Sequence, residues 1–200
     1  MFLIELDPGY ATGRLFYRVY LTARGDFKNA QLQLDQAAQI DPLTPIIALC
    51  RGYPAAFQGD TQAGIRAAKE ALGISPGFPA ALEDLMTYFD RDGRRNEALQ
   101  LAVALLHSRN ENELAEVVET TGRRSGYSAA LRVWFEGEED RAHREYVSPL
   151  RIAILAIRVG EIDKAFYWMT KAVDDRNAGL VYLKIDPKYA PLRSDLGLRK

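Results

Sequence analysis

The sequence predicts an all-α protein, a solenoid of antiparallel helix pairs closed by a short extended segment, and three observations carry that reading. Gly25, Gly59 and Gly93 recur at intervals of 34 residues, and Gly126 and Gly160 continue the series at intervals of 33 and 34. Pro8, Pro42 and Pro76 keep the same interval, each just ahead of a helix-patterned stretch. Between these marks the apolar residues return at the spacing of one helix face, and one helix–turn–helix per period of this length is how stacked helical repeats declare themselves.

The first unit runs from about Gly9 to Gln39. Leu15, Phe16, Val19 and Tyr20 line one face of its first helix. Gly25 then supplies the left-handed residue that ends the helix, and Asp26 is the N-cap of the next. That second helix carries Phe27, Ala30, Leu34 and Ala37, with alanines small enough to bring the pair close together. Asp41-Pro42 closes the unit, because the residue before a proline is pushed out of the helical region. The second unit repeats the plan with Ile46, Ile47, Leu49 and Phe57, then Ile65, Ala68, Ala71 and Leu72. Pro54 falls inside its first helix, where the missing donor should kink the chain.

The third unit has Leu82, Leu85, Met86 and Phe89, then Ala98, Leu99, Ala102, Leu105 and Leu106. The fourth pairs a helix holding Leu114, Val117 and Val118 with one holding Ala130, Leu131, Trp134 and Phe135. Its tail, Glu136 to Arg141, reads as a solvated helix end or a loop. The fifth sets Ile152, Ile154, Leu155 and Ile157 before Gly160, and Ala165, Phe166, Trp168, Met169, Ala172 and Val173 after it. The organisation expected is therefore a remnant of a preceding helix over 1–8, about five helix pairs over 9–178, and an extended cap over 179–200. In that cap Leu180-Val181-Tyr182-Leu183-Lys184-Ile185 is β-branched and aromatic. It is expected to lie as a strap over Phe166, Met169 and Val173, with turns starting at Asp186-Pro187 and Ser194-Asp195.

Composition sets the outer limits. With 48% hydrophobic and 26% charged residues the chain has the make-up of a folded protein rather than a disordered one. Lys plus Arg number 26 against 27 acids, a balance that offers no field for nucleic acid or an anionic membrane. Cys50 is the sole cysteine, so no intrachain disulfide and no cysteine-rich zinc site can form. No segment has the roughly 18 apolar residues of a membrane span, and Met1-Phe2-Leu3-Ile4-Glu5 lacks the form of a signal peptide, so a cytoplasmic location is expected.

The alternation of Gly25-Asp26, Gly59-Asp60, Asp92-Gly93 and Gly160-Glu161 with Ala30, Ala98 and Ala165 resembles the tetratricopeptide (TPR) consensus over most of the chain. The resemblance implies a right-handed superhelix. More narrowly, Arg144 to Pro149, Gly160 to Phe166, Gly179 to Pro187 and Pro191 to Asp195 resemble the C-terminal repeat region of bacterial winged-helix transcriptional regulators and serine/threonine kinases. That resemblance implies a non-catalytic protein–protein interaction or scaffold module, the partner-binding part of a larger signalling protein. The sequence departs from the consensus at Gly64, where alanine is expected, at Pro54, and in the fourth unit, which lacks its closing proline.

The resemblance also places a partner-binding groove on the first helices. Its positions are Leu15, Val19 and Thr22, then Leu49, Tyr53 and Phe57, then Glu83, Thr87 and Arg91, and Leu150, Ile154 and Arg158 in the fifth unit. Apolar residues at Leu15 and Val19 and an aromatic at Tyr53 disfavour a carboxylate clamp and favour a protein or peptide ligand with hydrophobic anchors. The alternative is that these side chains pack on one another or on a missing repeat. Self-association through open solenoid ends is a further expectation. No catalytic, cofactor-binding or metal-binding residues are expected: His107 and His143 stand alone, Cys50 lies on an apolar face, and no phosphate loop, nucleophile elbow or zinc helix is present. The competing functional class is a fragment that contributes to an enzyme active site supplied elsewhere.

Overall fold

The computed structural model describes residue 7 and residues 9–198, and among them the regular structure is entirely helical. The helix remnant expected over 1–8 lies, apart from Asp7, outside the described residues. The chain divides into two compact units, Met1–Arg109 and Asn110–Lys200.

The first unit holds seven helices: α1 (Ala11–Ala23), α2 (Phe27–Ile40), α3 (Pro45–Cys50), α4 (Tyr53–Phe57), α5 (Thr61–Ile74), α6 (Pro79–Arg91) and α7 (Arg95–Ser108). Each packs on its neighbours in the chain, giving three hairpins: α1 with α2, α3 and α4 with α5, and α6 with α7. One turn is used three times. Gly25, Gly59 and Gly93 take φ of 77°, 105° and 75°, a region costly to any residue with a Cβ. The next residue then bonds back across the turn, Asp26 N to Leu21 O (2.9 Å), Asp60 N to Ala55 O (3.0 Å) and Arg94 N to Phe89 O (2.8 Å). Asp26 and Asp60 cap the following helices by accepting from the amides of Asn29 and Ala63. Between the helices lie Ala30, Leu34 and Ala37, then Ala68 and Ala71, then Ala98, Ala102 and Leu105, all fully buried.

Pro54 has a larger effect than a kink. It cannot donate to the carbonyl of Cys50, and the first helix of the second hairpin breaks there into α3 and α4. Gly52 carries the chain across the break, its amide bonding to Leu49 O (3.2 Å) and its carbonyl accepting from Ala56 N (2.9 Å).

The second unit holds α8 (Asn112–Ser125), α9 (Tyr127–Ala142), α10 (Pro149–Val159) and α11 (Ile162–Asp174), then two 3-10 turns, Ala178–Tyr182 and Pro187–Tyr189, and α12 (Ala190–Leu198). Gly160 repeats the turn of the first unit, with φ 80° and Glu161 N bonded to Ala156 O at 2.9 Å. Gly126 does not. It joins α8 to α9 as a single residue at φ 87°, ψ 172°, and the glycine interval shortens to 33 because three residues link α7 to α8 where four link α5 to α6.

Two expectations fail in this unit. The charged tail is neither loop nor solvated throughout: α9 runs to Ala142, and Glu138 is 0% exposed. The C-terminal segment is not an extended strap. Leu180 to Ile185 lies in tight turns, with Leu183 N bonded to Leu180 O and Ile185 N to Tyr182 O, both at 3.0 Å. Strand propensity reflects fit to a pleated surface, and no strand edge exists among the described residues to pair with. Asn177 and Asp186 instead accept from the amides of Gly179 and Lys188 and nucleate the two turns. Asp186-Pro187 thus starts a turn as expected, whereas Ser194-Asp195 lies inside α12. Tyr189 and Leu192 supply the cover, buried where the second turn meets α10 and α12 meets α11. Val173, expected beneath the strap, is 58% exposed.

Candidate functional site

The first helices of the three hairpins of the first unit are joined by side chains. From α1, Arg18 reaches across so that Nη2 donates to Cys50 Sγ of α3 at 2.9 Å, with its guanidinium 5.3 Å from the centre of the Tyr53 ring of α4. The Tyr53 hydroxyl donates to Asp84 Oδ2 of α6 at 2.7 Å. Phe57 stacks on Tyr53 one helical turn later, the ring centres 5.5 Å apart and the planes inclined by 13°. Burial pushes the Cys50 thiol up to about 12 even though the Arg18 charge opposes it, so the sulfur is a neutral core atom and not a nucleophile. Burial, and then the Asp84 carboxylate, raise the Tyr53 hydroxyl well above its ordinary value and keep it a donor.

The residues expected to line a groove divide into three groups. Leu15, Val19, Tyr53 and Phe57 are half-buried, present a partly open apolar and aromatic surface, and stand on α1 and α4. Leu49 and Thr22 are closed off, at 1% and 0% exposed. On α6, Glu83 is held by Arg109 at 2.9 Å, Thr87 donates to Glu83 O at 2.8 Å, and Arg91 is exposed. In the second unit Leu150 and Ile154 are buried, and Arg158 is half-buried. Arg18 and Asp84 were missed. Asp84 stands 34 residues after Cys50, in the same repeat position, and that column is the signal that could have found it.

A second polar cluster lies in the second unit. Glu138 accepts from Trp134 Nε1 (3.1 Å) and Arg151 Nη2 (2.8 Å), with Arg141 Nη1 at 3.4 Å. Glu111, at the start of α8, pairs with Arg141 at 2.9 Å and Arg151 at 3.0 Å. Burial raises the Glu138 carboxyl, opposed chiefly by the Arg151 charge. Glu138 occupies the column of Ala37, Ala71, Leu105 and Ala172. A charge run hides this signal when only its composition is considered.

His107 and His143 are both exposed, and no group of three His, Cys, Asp or Glu side chains among the described residues could hold a metal ion. Neither the Cys50–Tyr53–Asp84 network nor the Glu138 cluster sets a nucleophile beside a free base. Comparison with protein-family models finds no match to this chain, and comparison with curated proteins finds none.

Proposed function

We propose that this chain is a TPR-like, non-catalytic protein–protein interaction or scaffold module. It acts in the cytoplasm as the partner-binding part of a larger bacterial signalling or transcription-regulating protein. The observation that carries the reading is the recurrence of one turn, at Gly25, Gly59, Gly93 and Gly160, each closed by the same backbone bond. A chain that spends its glycines and alanines on repeating one hairpin builds surface, and surface is what a binding module needs. The proposed ligand is a protein or peptide segment with hydrophobic anchors, seated against Leu15, Val19, Tyr53 and Phe57. Near-equal numbers of acids and bases weigh against nucleic acid and membrane surfaces as partners.

A photo-crosslinking amino acid placed at position 57, and in a second version at the exposed Lys28 on α2, tests this in the source cell. One protein should be trapped from position 57 and not from position 28, and its capture by the unmodified chain should weaken about tenfold with Phe57→Ala. Equal trapping at both positions, or capture indifferent to Phe57→Ala, would remove the groove from consideration.

A further inference from the structure

The outward face of α1 is open where the equivalent faces of the later hairpins in the first unit are largely covered. At the 34-residue step, Phe16 shares its repeat position with Cys50 and Asp84, and Tyr20 shares its position with Pro54 and Tyr88. Cys50 and Pro54 are buried and Tyr88 is 7% exposed, whereas Phe16 is 69% and Tyr20 53% exposed. Gly13 belongs to the same stripe. Its counterparts Ile47 and Ala81 are buried, while at Gly13 the Tyr10 ring lies over the backbone, within 2.9 Å of where a Cβ would stand. Phe16 and Tyr20 thus stay open at positions where Cys50, Pro54 and Tyr88 are closed, and Tyr10, 43% exposed, flanks them.

How Tyr88 is closed says what fits. It packs on Gly64 of α5, where an added Cβ would lie 2.7 Å from Tyr88 Cε2 and 2.8 Å from its hydroxyl. Only a residue without a side chain admits the ring. One and two turns further along α5 the buried residues are Ala67 and Ala68, then Ala71, again small. At the edge of that contact Gln62 Nε2 donates to Asp92 Oδ2 at 3.3 Å. Arg24 holds the repeat position of Asp92 on α1, with Nη1 donating to the Tyr20 hydroxyl at 2.9 Å and the guanidinium 5.6 Å from the Tyr20 ring centre. The polarity of the edge is therefore reversed, and α1 itself contains no acidic residue.

We propose that the Phe16–Tyr20 face of α1 is a docking surface for one α-helix of defined chemistry. That helix carries glycine opposite Tyr20, further small residues one and two turns on, and an acidic side chain two residues before the glycine, opposite Arg24. The face goes beyond the groove reading and does not depend on it.

The chain itself supplies the probe. Gly9 and Gly77 share a repeat position, so a duplicate of residues 43–76 joined ahead of Gly9, in place of residues 1–8, sets a second Gly64 opposite Tyr20. In the unaltered full chain Tyr20 should nitrate readily with tetranitromethane, and Phe16→Glu should lower Tm by less than about 2 °C. In the lengthened chain nitration of Tyr20 should slow at least tenfold and Phe16→Glu should lower Tm by more than about 5 °C. Gln62→Glu in the added copy should raise Tm, and Gly64→Leu there should restore fast nitration while helix content by circular dichroism is unchanged. Phe57→Ala should leave the nitration rates of Tyr20 as they are, which separates this test from that of the groove. Undiminished nitration of Tyr20 in a folded lengthened chain overturns the proposal. So does a full chain that sediments as a dimer and becomes monomeric with Phe16→Glu, since the face then belongs to a second copy. Fast Tyr20 nitration that appears only after residues 1–8 are deleted overturns it as well, in favour of the chain's own N-terminus.

Discussion

The two units place different chemistry in the same slot. In the first, the position between paired helices is filled by Ala37, Ala71 and Leu105, and burial alone stabilises the contact. In the second unit α11 keeps a small residue there, Ala172, but the corresponding residue of α9 is Glu138, equally buried. The hairpin geometry fixes that the position is inside, whatever residue stands there. A carboxylate in that place loses its water and must find donors, and Trp134, Arg151 and Arg141 provide them, with Glu111 balancing the second arginine. The first unit is thus held mainly by shape, and the second partly by a charge balance drawn from α8, α9 and α10.

The largest expected effect comes from upsetting that balance. Arg151→Met leaves Glu138 and Glu111 sharing one arginine in a buried site, and should cost about 3–5 kcal/mol in urea unfolding. Adding Glu138→Leu, which gives the second unit the residue found at Leu105, should recover most of the loss, because a buried ion pair is commonly no more stable than well-packed apolar side chains of similar volume. A double variant as unstable as the single one would show that the slot in α9 is not equivalent to the slot in α7.

Next in size is a pair of glycine substitutions, one in each unit. At Gly64 a methyl group meets the Tyr88 ring on one side, and Gly52 approaches on the other, so Gly64→Ala should cost about 1–2 kcal/mol despite better helix propensity. At Gly137 the nearest atom is Leu114 Cδ1, the end of a flexible side chain, at 2.9 Å. Gly137→Ala should therefore be neutral or gain up to about 1 kcal/mol. The same measurement on both variants decides whether ring rigidity is what separates them.

A smaller effect concerns pH. Burial holds the Glu138 carboxyl above its ordinary value of 4.5, so the folded state binds this proton more tightly than the unfolded chain. The associated stabilisation is complete below 4.5 and is lost as pH rises through the folded value. Glu138→Gln should flatten the stability profile in that window, and an unchanged slope would assign the pH dependence to other groups. Smallest of all, Cys50 should resist iodoacetamide at pH 8 in the native protein and react promptly in urea, since its thiol is buried and pushed up to about 12.

Much of the first unit was legible because its signals are local. A glycine in the left-handed region, an Asp N-cap and apolar residues at helical spacing act within a few residues of themselves, and Gly25-Asp26, Gly59-Asp60 and the alanine columns could be located by counting. Tyr53 and Phe57, placed on one helix face by their spacing, do stack as a half-buried pair. Arg18 and Asp84 escaped because each reads as an ordinary surface charge until α1, α4 and α6 are brought side by side. Leu49 and Thr22 were misplaced because spacing along a helix does not say which neighbouring helices close over it.

The sequence by itself determined the helical class, the interval of the hairpins, and the residues at which the chain reverses, since each follows from backbone sterics and from the period of the apolar residues. Only the tertiary structure decided that Glu138 is buried and not solvated, that Leu180 to Ile185 closes into turns, and that Phe16 and Tyr20 stand open where Cys50 and Tyr88 are covered. Strand propensity, charge and apolarity state what a side chain can do in a given environment, and the environment at those positions is made by helices tens of residues away.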